Sequence, residues 1–316
     1  MVRVAPISTF RPAPSVQTGL TQSRPKALSL RWNRIPFAGS IRAMKHHSGK
    51  RPPGRAQSPK GPRTDWGTVA DWYDQHVGES GSEYHREVVI PGTMRLLALE
   101  PNEKAIDIAC GQGVLCRVLN ERGVEVTGVD AAPELIRAAR ERGPNRIRYD
   151  VADARELGLL PPNHFAAAAC VLAIQNIHPI QPVFEGVSRL LQPDGHFVMV
   201  MMHPHFRGPK ETSWGWDDEA KVQYRRVDRY LLPRKAPIVT HPGKDAGAYT
   251  WTFHKPLEAY VKALRGAGLL IDAIEEWPSH KTSTSGPRAA AENVARKEIA
   301  MFMGIRAVKR GTATSR

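Results

Sequence analysis

Apolar positions change period repeatedly along this chain. Short strand-like runs, "KAIDIAC", "VEVTGVD" and "IRYDVAD", alternate with the helix-periodic stretches "GVLCRVLNERG" and "APELIRAARERG". The Ala-rich run "FAAAACVLAI" is helical by propensity, but a helix there would break the alternation, so a strand is expected. "IQPVFEGVSRLLQPDG" reads as a helix stopped by Pro-Asp-Gly, and "HFVMVMM" as the strand after it. Beyond residues 203–254 come a helix ("PLEAYVKALRGAG"), a strand ("LLIDAIEEW"), a helical or turn segment ("ENVARKEIA") and a last strand ("MFMGIRAVK"). Two helices precede the first strand: "TDWGTVADWYDQHV", with Thr64 or Asp65 as its cap, and "SEYHREVVIPGTMRLLALEP", running around Pro91. Strand and helix in alternation predict right-handed βαβ units, hence one α/β domain over residues 65–316 with a largely parallel sheet and helices on both faces. Residues 203–254 fall outside the alternation and are expected to form a substrate lid.

Charge separates this domain from what precedes it. The 316 residues carry a formal net charge of +14, yet residues 1–64 hold thirteen Lys or Arg and no acid, which leaves 32 basic against 31 acidic residues elsewhere. The basic segment is rich in Pro, Ser, Arg and Gly and has no sustained period, so disorder is expected. Its composition suits an extension upstream of a start at Met44, an organellar transit peptide, or an arm for nucleic acid. No run of 18 apolar residues is present, so no membrane span is expected. Cys110, Cys116 and Cys170 have no CxxC spacing, which points away from a disulfide framework or zinc knuckle and toward a reducing, cytoplasmic compartment, or an organelle if the basic segment is a transit peptide.

The chemistry concentrates in residues 105–130, "AIDIACGQGVLCRVLNERGVEVTGVD". Gly111 and Gly113 stand between a strand and a helix, where backbone without Cβ can approach a ligand. Asp130 ends the next strand, where an acid meets ribose hydroxyls. The position of a dinucleotide-binding third glycine is Cys116, and Asp107 before the turn would repel phosphate while suiting an ammonium group. An adenosine bearing a cationic amino-acid end, S-adenosylmethionine, satisfies both conditions; a nicotinamide cofactor does not.

Asp107-Ile-Ala-Cys-Gly-Gln-Gly113 resembles the first motif of class I SAM-dependent methyltransferases, with Ala109 where many members have glycine. Asp130 is similar to that family's ribose-binding acid, Asp153 in "YDVADA" to its adenine-contacting acid, and "LLQPDGHFVMV" to its segment before strand five. The resemblance implies a Rossmann-like, seven-stranded sheet in the order 3-2-1-4-5-7-6. It also implies a cofactor site of Asp107, Ala109, Cys110, Gly111 and Gly113 at the methionine end, Asp130 and Ala131 at the ribose, and Asp153 and Ala154 at the adenine, with Leu172 and Tyr73 beside them. His164 stands where many members have an acid, and Gln175, Asn176 and His178 replace the Asn/Asp-Pro-Pro-aromatic motif, which disfavours methylation of exocyclic base amines.

Methyl transfer from a sulfonium needs alignment, exclusion of water, and a base only if the nucleophile must lose a proton. His203 and His205, after strand five, and His85 are the candidate bases; HxH alone is too few ligands for a metal. Tyr84, Gln175, Asn176, Trp214 and Tyr224 are candidate substrate contacts, the last two in "SWGWDDEAKVQYRRVDRY" with Arg225, Arg226 and Arg229. Segments 203–230 and 251–308 resemble a group of bacterial small-molecule methyltransferases. The expected acceptor is therefore a small molecule; the alternatives are RNA held by the basic segment, and a SAM-binding protein without turnover.

Overall fold

A computed structural model describes residues 66–239 and 249–311. The basic segment and the caps expected at Thr64 or Asp65 lie outside the described residues. Seven strands form the central sheet. Five are parallel: β1 (Lys104–Ile108), β2 (Glu125–Asp130), β3 (Arg148–Val151), β4 (Phe165–Val171) and β5 (Leu191–Met202). Between β5 and the two closing strands lie two hairpins, β6 (Thr212–Asp217) with β7 (Val222–Val227) and β8 (Arg234–Val239) with β9 (Tyr249–His254). The sheet is completed by β10 (Leu269–Trp277) and β11 (Phe302–Lys309), β11 running antiparallel to both β5 and β10. The order β10-β11-β5-β4-β1-β2-β3 is the expected 3-2-1-4-5-7-6 when the two hairpins are set aside.

Helices α1 (Ala70–Val77), α2 (Ile90–Leu97), α3 (Val114–Glu121), α4 (Pro133–Arg142), α5 (Gln181–Leu190), α6 (Leu257–Gly266) and α7 (Ala289–Glu298) complete the chain. One face of the sheet is packed by Leu96, Leu97, Leu119 and Ile136 from α2, α3 and α4. The other is packed by Phe184, Leu190, Tyr260 and Leu264 from α5 and α6. The Ala-rich run shows why burial on both faces overrides propensity: Ala167 and Ala169 belong to the first core, Ala168 and Cys170 to the second.

Two local features differ from the sequence reading. Pro91 lies in the first turn of α2 after a π-helical stretch, His85–Val89, because a proline has no N–H to donate and its ring displaces the carbonyl four residues back. Pro-Asp-Gly does not stop α5, which ends at Leu190; it makes a bulge inside β5. Phe165 pairs with Leu191 and Ala167 already pairs with His196, so residues 192–195 loop out, with Asp194 at φ +62°.

Trp277 closes the β10 edge by entering a slot that only glycine leaves open. A Cβ on Gly92 of α2 would stand 2.3 Å from its Cζ2, and one on Gly304 of β11 2.8 Å away. The Trp277→Ala variant is expected to lose about 3–5 kcal/mol in urea unfolding, the usual cost of emptying a buried aromatic site. A loss under about 1 kcal/mol would show that this edge is not part of the cooperative core.

Candidate functional site

The site is built where β1 and β2 end side by side. After Ile108 the chain turns sharply: Ala109 and Gly111 both take φ +56° and Gly113 φ +80°. The turn is pinned to its neighbour by Asp130. Oδ2 accepts the Gly111 N–H at 2.9 Å and Oδ1 accepts the Ala132 N–H at 2.9 Å, so one carboxylate joins the glycine turn to the start of α4. Burial raises the Asp130 pKa and these backbone hydrogen bonds oppose it. Each oxygen keeps a further lone pair, and Asp130 lines an adjoining cleft of about 220 Å³. Two fixed carboxylate oxygens at a cleft wall suit two neighbouring hydroxyls.

Of the residues expected to hold the cofactor, Tyr73, Ala109, Asp130, Ala131, Asp153, Ala154 and Leu172 share this cleft. Asp107, Cys110, Gly111 and Gly113 are not on its wall. Gly111 backs onto Tyr73, whose ring lies 3.3 Å from where a Cβ would stand, and the corresponding space at Gly113 is taken by the Tyr149 hydroxyl at 2.4 Å. Gly113 is thus required by packing beneath the turn. Tyr73 is positioned from α1 by a polar clamp: Arg142 Nη2 donates to Asp74 Oδ2 at 2.6 Å, Arg142 Nη1 donates to Gln112, and Gln112 Nε2 donates to the Gly78 carbonyl at 2.6 Å.

Asp107 is 3 % exposed, and among the described residues its side-chain partner is the Cys116 thiol, 3.4 Å from Oδ2. Burial pushes its carboxyl up to about 7, with Cys116 opposing and Asp130 adding to the rise. A buried acid so near neutrality is easily ionised by a cation placed beside it. At the other end, burial raises the Asp153 carboxyl, but Arg155 outweighs it and holds the group below the usual range; Arg155 donates to both oxygens and to the His178 carbonyl at 3.1 Å. Arg155, His178, Thr250, Trp251 and Phe253 complete the cleft and were not anticipated. Arg155 had a local signal, two residues after an acid; the β9 residues had none, because their place is set by the hairpin.

A second cavity of about 230 Å³ shares Asn176 and Phe253 with the first, and Gln175, Met201, Met202, Arg207, His254, Lys255 and Tyr260 also line it. It contains the expected Gln175 and Asn176. Neither cavity is lined by the three histidines proposed as bases. His203 is 1 % exposed, with Nε2 on Glu276 Oε1 at 2.6 Å and Nδ1 accepting the amides of His205 and Phe206 at 3.3 and 3.4 Å, so both ring nitrogens are committed to the turn after β5. His205 stacks on Tyr230 at 4.1 Å, and His85 Nδ1 pairs with Ser82 Oγ at 2.8 Å. Tyr84 packs edge-on to His280 and Phe302. Trp214 lies between the guanidiniums of Arg207 and Arg225, at 5.1 and 5.0 Å, and Tyr224 covers Gly215 from an exposed strand. Among the described residues no group of three His, Cys, Asp or Glu is arranged to hold a metal, and no helix is long and apolar enough to cross a membrane.

Sheet order and positive-φ turn define a Rossmann-like protein, and its acid-bracketed cleft lies at the C-terminal edge of the parallel strands, where such sheets bind ligands. Comparison with known proteins specifies the ligand. A methyltransferase domain family matches residues 106–199. A ubiquinone biosynthesis O-methyltransferase of Xylella fastidiosa (strain 9a5c) is 27 % identical over 209 residues, covering 65 % of this chain and 76 % of its own. The crystal structure of an S-adenosylmethionine dependent methyltransferase from Mesorhizobium loti superposes with a TM-score of 0.56 at 28 % identity, over 69 % of this chain and 96 % of that one. The chain belongs to the class I SAM-dependent methyltransferases, and its cofactor is S-adenosylmethionine.

Two outcomes follow for the buried acids. Asp130→Asn, which keeps one of the two acceptors, at Gly111 or Ala132, and loses the charge, is expected to weaken S-adenosylmethionine binding at least about tenfold by isothermal titration, as loss of charge-assisted hydrogen bonds implies; equal affinity would remove Asp130 from the cofactor site. Asp107 has its folded pKa raised from 3.8 to about 7, so its contribution to stability is complete below about pH 4 and is lost as pH rises through 7. Asp107→Asn should therefore be more stable than the parent above pH 7, the difference shrinking toward pH 4, while its cofactor affinity falls. Thermal melts across that range check the sign.

Proposed function

We propose that the protein methylates a hydroxyl group on a small-molecule acceptor held in the second cavity, with residues 203–254 forming its cover. The observation that carries this reading is the shared wall: Asn176 and Phe253 line both the cofactor cleft and the neighbouring cavity. Two adjoining cavities of similar size are what a cofactor and a small acceptor require, and the name of the Xylella relative supports oxygen as the accepting atom.

Bound S-adenosylmethionine supplies an electrophilic methyl group, and its acceptance by a hydroxyl releases one proton. The chain's part is to hold both partners, exclude water and take that proton. His254, at the end of β9 and 6 % exposed, has the right form for this. Its Nε2–H donates to the Tyr230 carbonyl at 2.7 Å, which fixes the tautomer and leaves Nδ1 unprotonated. Nδ1 is turned toward Gly208, another wall of the same cavity. Burial lowers the His254 pKa, with the Tyr230 carbonyl opposing and Arg234 and Lys255 adding to the fall, so the imidazole is neutral and able to accept at pH 7. Phe253 and Trp251 of the same strand close the cofactor cleft against solvent.

The test is transfer of labelled methyl from S-adenosylmethionine to a panel of hydroxylated small molecules by the full chain. His254→Gln is expected to reduce kcat about a hundredfold or more, the usual worth of a general base, with KM changed only a few-fold. The acidic limb of the kcat profile should fall below pH 6.5, because the histidine is harder to protonate than a free one. Transfer to RNA alone, or an unchanged kcat in His254→Gln, would overturn the proposal.

A further inference from the structure

The second cavity contains more positive charge than its surroundings neutralise. Lys255, directly after β9, is 7 % exposed and among the described residues donates only to two backbone carbonyls, Ile177 at 3.1 Å and Phe253 at 3.4 Å. Its ammonium lies 5.3 Å from the Phe253 ring centre and 5.8 Å from that of Tyr260. Arg207, which follows β5, also lines the cavity. Its guanidinium rests on Trp214 at 5.1 Å, and its Nε is buried without a hydrogen-bond partner. No Asp or Glu is among the residues lining this cavity. Burial alone draws Lys255 down to about 8, and burial with Arg225 lowers Arg207, although Tyr84 opposes the latter. Desolvating two cations without a counter-charge costs folding free energy, and an arriving anion would recover part of it.

The cavity also presents polar groups of the other sense. Gln175 Oε1 and Asn176 Oδ1 are both buried without partners. Gln175 Nε2 donates to the Leu172 carbonyl at 2.8 Å, which leaves the oxygen as the free end of that amide. Amide oxygens accept from O–H or N–H and do not bind anions. Asn176 also borders the cofactor cleft, so a donor-seeking group of the cavity adjoins that cleft. Met201, Met202, Ile238 and Tyr260 supply apolar walls.

We propose that this cavity binds an acceptor carrying a carboxylate or phosphate group, paired with Lys255 and Arg207, and presenting a hydroxyl to Gln175 and Asn176 beside the cofactor cleft. The proposal rests on the reading of the cavity as the acceptor site, but anion recognition is measurable without turnover.

Three matched probes test it on the full chain by isothermal titration: 3-(4-hydroxyphenyl)propanoate, 2-(4-hydroxyphenyl)ethyl phosphate and the neutral 2-(4-hydroxyphenyl)ethanol. At least one anion is expected to bind about tenfold or more tightly than the alcohol, the discrimination typical of a desolvated charge pair, and the preferred anion tells carboxylate from phosphate. Lys255→Met and Arg207→Gln should each bring the preference within about threefold while leaving S-adenosylmethionine affinity unchanged. If Lys255→Met fails to fold, the less buried Arg207→Gln decides the matter. Equal binding of all three probes, binding of none, or a preference that survives the substitutions would overturn the proposal. Anion binding without methyl transfer to any hydroxylated molecule would instead refute the proposed function and leave the anion site standing.

Discussion

One carboxylate organises the functional edge of this protein. Asp130 accepts backbone N–H groups from both the glycine turn after β1 and the start of α4, so the ends of two adjacent parallel strands are held in one geometry. The turn needs that restraint. Ala109 occupies the left-handed region, where an L-residue pays about 1–2 kcal/mol, and Gly111 occupies it one residue beyond the next. A flexible turn would relax to cheaper angles; one tied to a buried acid does not. Asp130 also lines the cleft, so the interaction that holds the fold together here also shapes the cleft wall.

Buried charge is left uncompensated with opposite sign at two places. In β1 the missing partner is a cation: Asp107 has a thiol as its side-chain partner among the described residues, and its carboxyl is pushed up to about 7. In the second cavity the missing partner is an anion: among the described residues Lys255 has only carbonyls, and its ammonium is drawn down to about 8. Both arrangements destabilise the empty protein and are relieved by ligands of opposite sign. The complementary pattern supports a reading in which a cationic cofactor and an anionic acceptor meet across Asn176 and Phe253.

The second hairpin makes this division. Its strand β9 supplies Thr250 and Trp251 to the cofactor cleft and Thr252, Phe253 and His254 to the second cavity or the shared wall. The histidines of the HxH motif lie outside this arrangement, His205 stacked on Tyr230 and His203 held by its hydrogen bonds. His203 spends both ring nitrogens on fixing the turn after β5 to β10, which serves the framework and not the cavity.

The fold was legible in the sequence because its determinants are local. Hydrophobic period, with strand–helix alternation for the Ala-rich run, identified the strands of the central sheet, and the spacing of Asp107, Gly111, Gly113 and Asp130 pointed to S-adenosylmethionine. Adjacency in a βαβ unit is short-range in sequence, which is why Ala131, Asp153, Ala154 and Leu172, assigned to one site through the family resemblance, line one cleft. The other half of the chemistry was not legible. His254, Lys255 and Arg207 are brought to one cavity by β5, the hairpin and the loop after it, across separations that no residue pattern encodes, while His203 and His205, adjacent to the right strand, are turned away by partners on β10 and beside the second hairpin. The sequence by itself determined the sheet and the cofactor; tertiary packing alone decided which charged side chains are stripped of partners, because burial and pairing depend on what the rest of the chain places around them.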